Sequence, residues 1–178
     1  MRKVVLTFGL IAGAILSVMM LISMAFHDQI GFDKSLVIGY TTMVLAFFMV
    51  FFGVRSYRDN VAGGSVTFGR AFKVGLLIMA IGSVCYVASW ELIYHTIAPD
   101  YLDKYAAYTV EKAKRSGASD EDIAAQERQM TEFKEMYKNP LVNIGLTLLE
   151  PVPVGLLFTL VTAGILSRKR RPQGAAVA

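Results

Sequence analysis

The chain has 178 residues, 54% of them apolar and only 18% charged, with a net charge of +4. Soluble domains average about 25% charged residues, and here the charges fall outside four long apolar windows, which excludes an ordinary soluble globule and points to an integral membrane protein. The basic residues flank apolar runs and so read as topology determinants rather than a nucleic-acid surface, while a single cysteine, Cys85, leaves no intramolecular disulfide and reads as a small packing residue.

The first apolar run covers residues 4–26. Arg2 and Lys3 before it, and Ser23-Met24-Ala25 near its end, resemble a secretory signal. Its core exceeds the roughly 7–15 residues of such signals, so a retained span is expected. Gly9, Gly13 and Ser17 recur every fourth residue and line one helical face, as close helix packing in lipid requires. The second span is expected over 36–54. A basic connection follows, in which Gly63-Gly64 reads as a turn and Phe68, Ala71 and Phe72 as a short amphipathic lead into the third span, 74–97.

The long connection 99–140 is bracketed by Pro99 and Pro140 and reads as a helical hairpin. Tyr101, Tyr105 and Tyr108 share one helical face, Ser116-Gly117 interrupts, Ser119 and Asp122 give a helix start, and Ile123, Met130, Phe133 and Tyr137 trace a second stripe. With facing stripes the two helices are most simply a packed antiparallel pair above the membrane; alternatively the tyrosine face lies on the headgroups or receives a partner, and packing against the rest of the protein is the favoured reading. The fourth span, 141–166, contains Glu150 followed by Pro151 and Pro153, which predicts a broken helix.

The fold class expected is therefore all-α, a single integral membrane domain over 1–178 built as a four-helix transmembrane bundle with an external helical hairpin between the third and fourth spans. Arg2 and Lys3, Arg55, Arg58, Arg70 and Lys73, and Arg168 to Arg171 all flank one side. The positive-inside rule then places both termini in the cytoplasm of a multi-pass protein of the cell inner membrane.

Glu91 and Glu150 are the acidic residues within the spans. A charge at mid-membrane costs about 2.5–3.5 kcal/mol on insertion scales, so both should face the bundle interior. Glu91 precedes Ile97 by six positions and Glu150 follows Leu141 by nine, which at 1.5 Å per residue sets them roughly 9 and 13 Å deep. Tyr94 and His95 share the face of Glu91, with Trp90 adjacent, and Thr147 continues the face of Glu150. These six form the candidate intramembrane polar site. For Glu150 the favoured role is to cap the restarted helix through the N–H groups of Val152 and Val154, and the alternative is a ligand or proton site at a half-helix end. For Glu91 a hydrogen bond to a nearby tyrosine or histidine is favoured, since a metal would need ligands beyond Glu91 and His95.

The stretches VFFGVRSYRDN, GGSVTFGRAFKVG, YVASWELIYH, MYKNPLVNIG and EPVPVGLLFTLVTAGILSRK resemble an uncharacterised bacterial membrane family, domain-of-unknown-function family 4199. The resemblance implies a four-helix inner-membrane protein and supplies no activity, catalytic residues or cofactor. The expected function is that of a structural or accessory protein in the lipid bilayer. It would bind another membrane protein or form a homo-oligomer, with no enzymatic activity, metal or cofactor. The alternative is a small oligomeric carrier or proton-linked permease using Glu91 and Glu150. A lipid-modifying enzyme built on His95, Glu91 and Tyr94 comes third.

Overall fold

A computed structural model of the chain describes residues 1–168 and is all-α. Its helices are α1 (Arg2–Ala25), α2 (His27–Ile30), α3 (Phe32–Asn60), α4 (Phe68–Thr96), α5 (Tyr101–Arg115), α6 (Asp120–Tyr137), α7 (Pro140–Leu148) and α8 (Pro151–Leu166). Four segments are long and apolar enough to cross a bilayer: α1, α3, α4 and the pair α7–α8. The second and third run further than their apolar stretches. Helix α3 continues to Asn60 because nothing breaks it before Gly63 and Gly64, whose φ values of 69° and 87° make the turn. The amphipathic lead at Phe68 is the first turn of α4 itself. Lys169, Arg170 and Arg171 of the terminal basic cluster lie outside the described residues.

Helices α1 and α4 run parallel in a fixed register. Gly9 meets Ile81, Gly13 meets Cys85, and the Ser89 hydroxyl donates to Ser17 Oγ at 2.7 Å. Both partners advance by four residues, so small groups on α1 admit the side chains of α4 at each turn. Lipid tails supply no hydrophobic drive between helices, and association rests on this close packing and on interhelical hydrogen bonds. The role expected for Cys85 is thereby located: it fills the notch at Gly13.

Helix α8 completes the bundle. Gly155 receives Met79 and Phe47, and Gly75 lies against Thr159 and Val50, so α8 is antiparallel to α4 and parallel to α3. Phe47, Val50, Val54, Val74 and Ile78 are fully buried at this junction. The starts of α1 and α4 therefore share one end with the finishes of α3 and α8. That end carries Arg2, Lys3, Arg55, Arg58, Arg70, Lys73 and Arg168.

The opposite end carries the hairpin. Ser119 caps α6 by accepting from the Asp122 N–H at 3.2 Å, and three acidic residues occupy the first turn, as the helix dipole favours. Beyond the pairing with α6, the tyrosine stripe of α5 packs on Phe32 at the start of α3, with ring centroids 5.6, 5.4 and 4.9 Å away for Tyr101, Tyr105 and Tyr108. Tyr108 and Lys112 also donate to Asp33, at 2.5 and 2.7 Å. Between α5 and α6, Ala106, Ala107 and Val110 share a groove with Met130 and Thr131, and Lys134 pairs with Asp103. Small side chains let two helices approach, and the tyrosine rings find apolar surface on Phe32.

Candidate functional site

The hairpin roofs a cavity of about 430 Å³ in its half of the bundle. Helix α1 contributes Met19, Met20 and Met24, α3 contributes Phe32, Gly39, Tyr40 and Met43, and α4 contributes Tyr86 and Trp90. Tyr101 and Tyr105 close it from above, Tyr137 and Thr147 from one side, and Glu150 reaches in from the break between α7 and α8. The walls are thus mainly aromatic and thioether, with one carboxylate. No lysine or arginine among the described residues lines it.

Glu150 owes its position to the two prolines. Pro151 and Pro153 have no N–H to donate, so α7 cannot run straight into α8. Its last turn tightens instead: Leu149 N–H reaches the Leu146 carbonyl at 3.1 Å and Glu150 N–H reaches that of Thr147 at 3.4 Å. Pro151 then starts α8 at a position that suits proline. The capping role expected for Glu150 is not observed. Its backbone is helical, with φ −79° and ψ −59°, and its side chain caps nothing. A side-chain cap needs an extended backbone that swings the carboxylate over the next N–H groups. The carboxylate turns sideways and accepts from the Tyr86 hydroxyl on α4. Glu150 is exposed and is one of the residues lining the cavity.

A second polar chain runs along the same wall. Trp90 Nε1 donates to the Tyr137 hydroxyl at 2.7 Å, that hydroxyl lies 3.4 Å from Thr147 Oγ1, and Thr147 donates to Asn143 Oδ1 at 3.2 Å. Thr147 and Asn143 are buried, and buried polar groups that leave water need such partners. Tyr101 packs edge-on to Trp90 with centroids 5.0 Å apart. Burial, and after it the Glu150 carboxylate, push the Tyr101 phenol up to about 12. Burial also raises the Tyr137 phenol.

Three of the six predicted residues, Glu150, Thr147 and Trp90, therefore meet at one cavity. The others form a separate group. Glu91 Oε2 lies 3.3 Å from His95 Nε2 within α4, while its Oε1 is buried without a partner among the described residues. Tyr94 stacks on Trp90 at 6.0 Å and meets Tyr137 at 5.4 Å, which places it behind the cavity wall. Tyr86 is the functional residue that sequence reasoning missed. Its signal was present, since Tyr86, Trp90 and Tyr94 repeat every fourth residue on one face of α4. The cavity-lining methionines left no comparable pattern.

The family described as "Protein of unknown function (DUF4199)" matches residues 7–168. No curated protein and no solved structure matches the chain.

Proposed function

Taking as premise that the chain belongs to the DUF4199 family of unknown function, we propose that it is a membrane-embedded binding protein of accessory type, not an enzyme, which takes a small amphipathic molecule into the cavity beside Glu150. The observation that carries this reading is a carboxylate set on the wall of a cavity rather than packed away. A hydrogen bond to a charged group contributes about 1.5–3 kcal/mol, against about 2.5–3.5 kcal/mol for the charge in the membrane. The Tyr86 bond thus offsets much of the cost of Glu150 without a clear net gain in stability. The cavity volume lies within the range of roughly 300–1,000 Å³ typical of small-molecule sites.

Carriage across the membrane is less well supported. Toward the basic end the bundle is filled by close contacts, Met79 beside Gly155 and Thr159 beside Gly75. The basic residues at the opposite end from the hairpin favour both termini in the cytoplasm and the hairpin on the outer face of a bacterial inner membrane.

Gly39 supplies the test. It lines the cavity, and a Cβ there meets nothing within 4 Å. Gly39→Phe should fill the space with little effect on folding. Native mass spectrometry of protein extracted from its own membranes is expected to show a bound small molecule on the wild type that the variant lacks. Equal occupancy of both proteins, with equal thermal stability, overturns the proposal.

A further inference from the structure

We infer that the occupant of the cavity carries an organic ammonium group, held between Glu150 and the surrounding aromatic rings, with an apolar portion against the methionine wall; this rests on the binding role proposed above. Among the described residues the lining holds one carboxylate, one histidine (His27) and no lysine or arginine. Tyr86 bonds Oε2, and no hydrogen bond to Oε1 is found among the described residues, so the carboxylate of this lining residue keeps an oxygen for a ligand. Aromatic side chains supply much of the lining, among them Phe32, Tyr40, Tyr86, Trp90, Tyr101 and Tyr105. Ring faces carry negative potential, and a cation within about 6 Å of a ring centroid is attracted by it, most strongly where water is excluded. An anion would meet the carboxylate with His27 as the one lining side chain able to carry a compensating positive charge, and that ring is already engaged by Phe32 and Ser35. An inorganic cation would find a single carboxylate, since no group of three His, Cys, Asp or Glu side chains occurs among the described residues. An ammonium bearing carbon substituents satisfies both the charge and the rings.

The remaining wall selects for the tail. Four of the chain's nine methionines, Met19, Met20, Met24 and Met43, line the cavity. Methionine is flexible and polarizable and adapts to apolar groups of varied shape. The ammonium can come from a lipid headgroup or from a free amphiphilic amine. The chemistry is the same, and the test separates the sources.

Trp90 is the only tryptophan in the chain and stands in the cavity wall, so intrinsic fluorescence reports the site directly. The full chain is reconstituted into liposomes and titrated with octyltrimethylammonium, octanol and octanoate, which share a chain and differ in charge. The ammonium is expected to shift Trp90 emission saturably and at the lowest concentration. Glu150→Gln, which keeps an oxygen for Tyr86, should weaken that response about tenfold or more while leaving octanol unchanged, as loss of a charge-assisted contact implies. Gly39→Phe should abolish both responses. An unchanged ammonium response in Glu150→Gln overturns the ligand class and leaves the cavity standing. A response to all probes that persists in Gly39→Phe overturns the binding role itself. Liposomes of phosphatidylglycerol, which lacks an ammonium, and of phosphatidylcholine identify the source: a headgroup occupying the site weakens the added ammonium in phosphatidylcholine alone.

Discussion

A Cβ on Gly13 would stand 2.6 Å from both Cβ and Sγ of Cys85, closer than two carbons tolerate. Gly13→Ala should therefore destabilise the protein by about 1–3 kcal/mol, the usual range for an overpacked interior. Cys85→Gly alone removes contacts and weakens α4, but it also removes the methylene that the new methyl group strikes. The two substitutions together should cost clearly less than their sum, a coupling that identifies direct contact. Gly164→Ala serves as the reference, since a Cβ there meets nothing within 4 Å. Thermal unfolding in detergent measures all four proteins, and additive costs at Gly13 and Cys85 would contradict the packing. The small-residue face of α1 was legible from spacing alone. Its partner was not, because a run of glycines says that a helix comes close without saying which one. The same limit hid the partner of Glu150: Tyr86 lies 64 residues away, and no local rule connects them.

At the scale of elements, the break in the last span was written plainly by Pro151 and Pro153, and the hairpin by Pro99, Ser116-Gly117 and Ser119. The destination of the tyrosine stripe was not. A helical face of aromatics announces burial, and periodicity cannot tell a neighbouring helix from a phenylalanine 69 residues earlier than Tyr101. Phe32 is the hub of this docking, in contact with His27, Tyr101, Tyr105 and Tyr108. Each aromatic pair contributes about 0.5–1.5 kcal/mol beyond area burial. Phe32→Ala removes all of these at once; α5 then keeps Tyr101 against Trp90 and the exposed ties of Asp33 to Tyr108 and Lys112, which are worth little in water, while α6 keeps the bond of Trp90 to Tyr137. The expected result is local undocking. Amide exchange in α5 and α6 should rise by one to two orders of magnitude, on the order of the loss of two such pairs, while α1, α4 and α8 keep their protection. Uniform loss of protection would mean that the roof and the bundle unfold as one unit.

The whole molecule is asymmetric along its long axis, and the asymmetry follows from where small and large residues fall. Toward the basic end, glycines at positions 53, 75 and 155 draw α3, α4 and α8 together. Toward the hairpin end, α4 presents Tyr86 and Trp90, α3 presents Tyr40 and Met43, and the helices stand apart around the cavity. The composition showed that the chain was apolar enough to span a bilayer four times; the closely packed region around Gly75 and Gly155 and the cavity under the hairpin appear only when the helices are assembled. Orientation then decides which compartment the cavity serves. The proposed orientation, with the basic residues on the cytoplasmic side, puts the hairpin turn outside and the connection between α3 and α4 inside. The test uses Cys85→Ser as background, with Ser116→Cys in the hairpin turn or Asn60→Cys at the end of α3, both exposed positions. A maleimide unable to cross the membrane should label the first in intact cells of a strain with a permeabilised outer envelope, and the second only after the inner membrane is opened. The two sites sit at opposite ends of a bundle whose spanning helices are 24 to 29 residues long, at least about 36 Å at 1.5 Å per residue. Equal labelling of both from outside would mean that the helices do not cross the bilayer in this arrangement. The reverse pattern would keep the crossings, invert the protein, and put the Glu150 cavity on the cytoplasmic side.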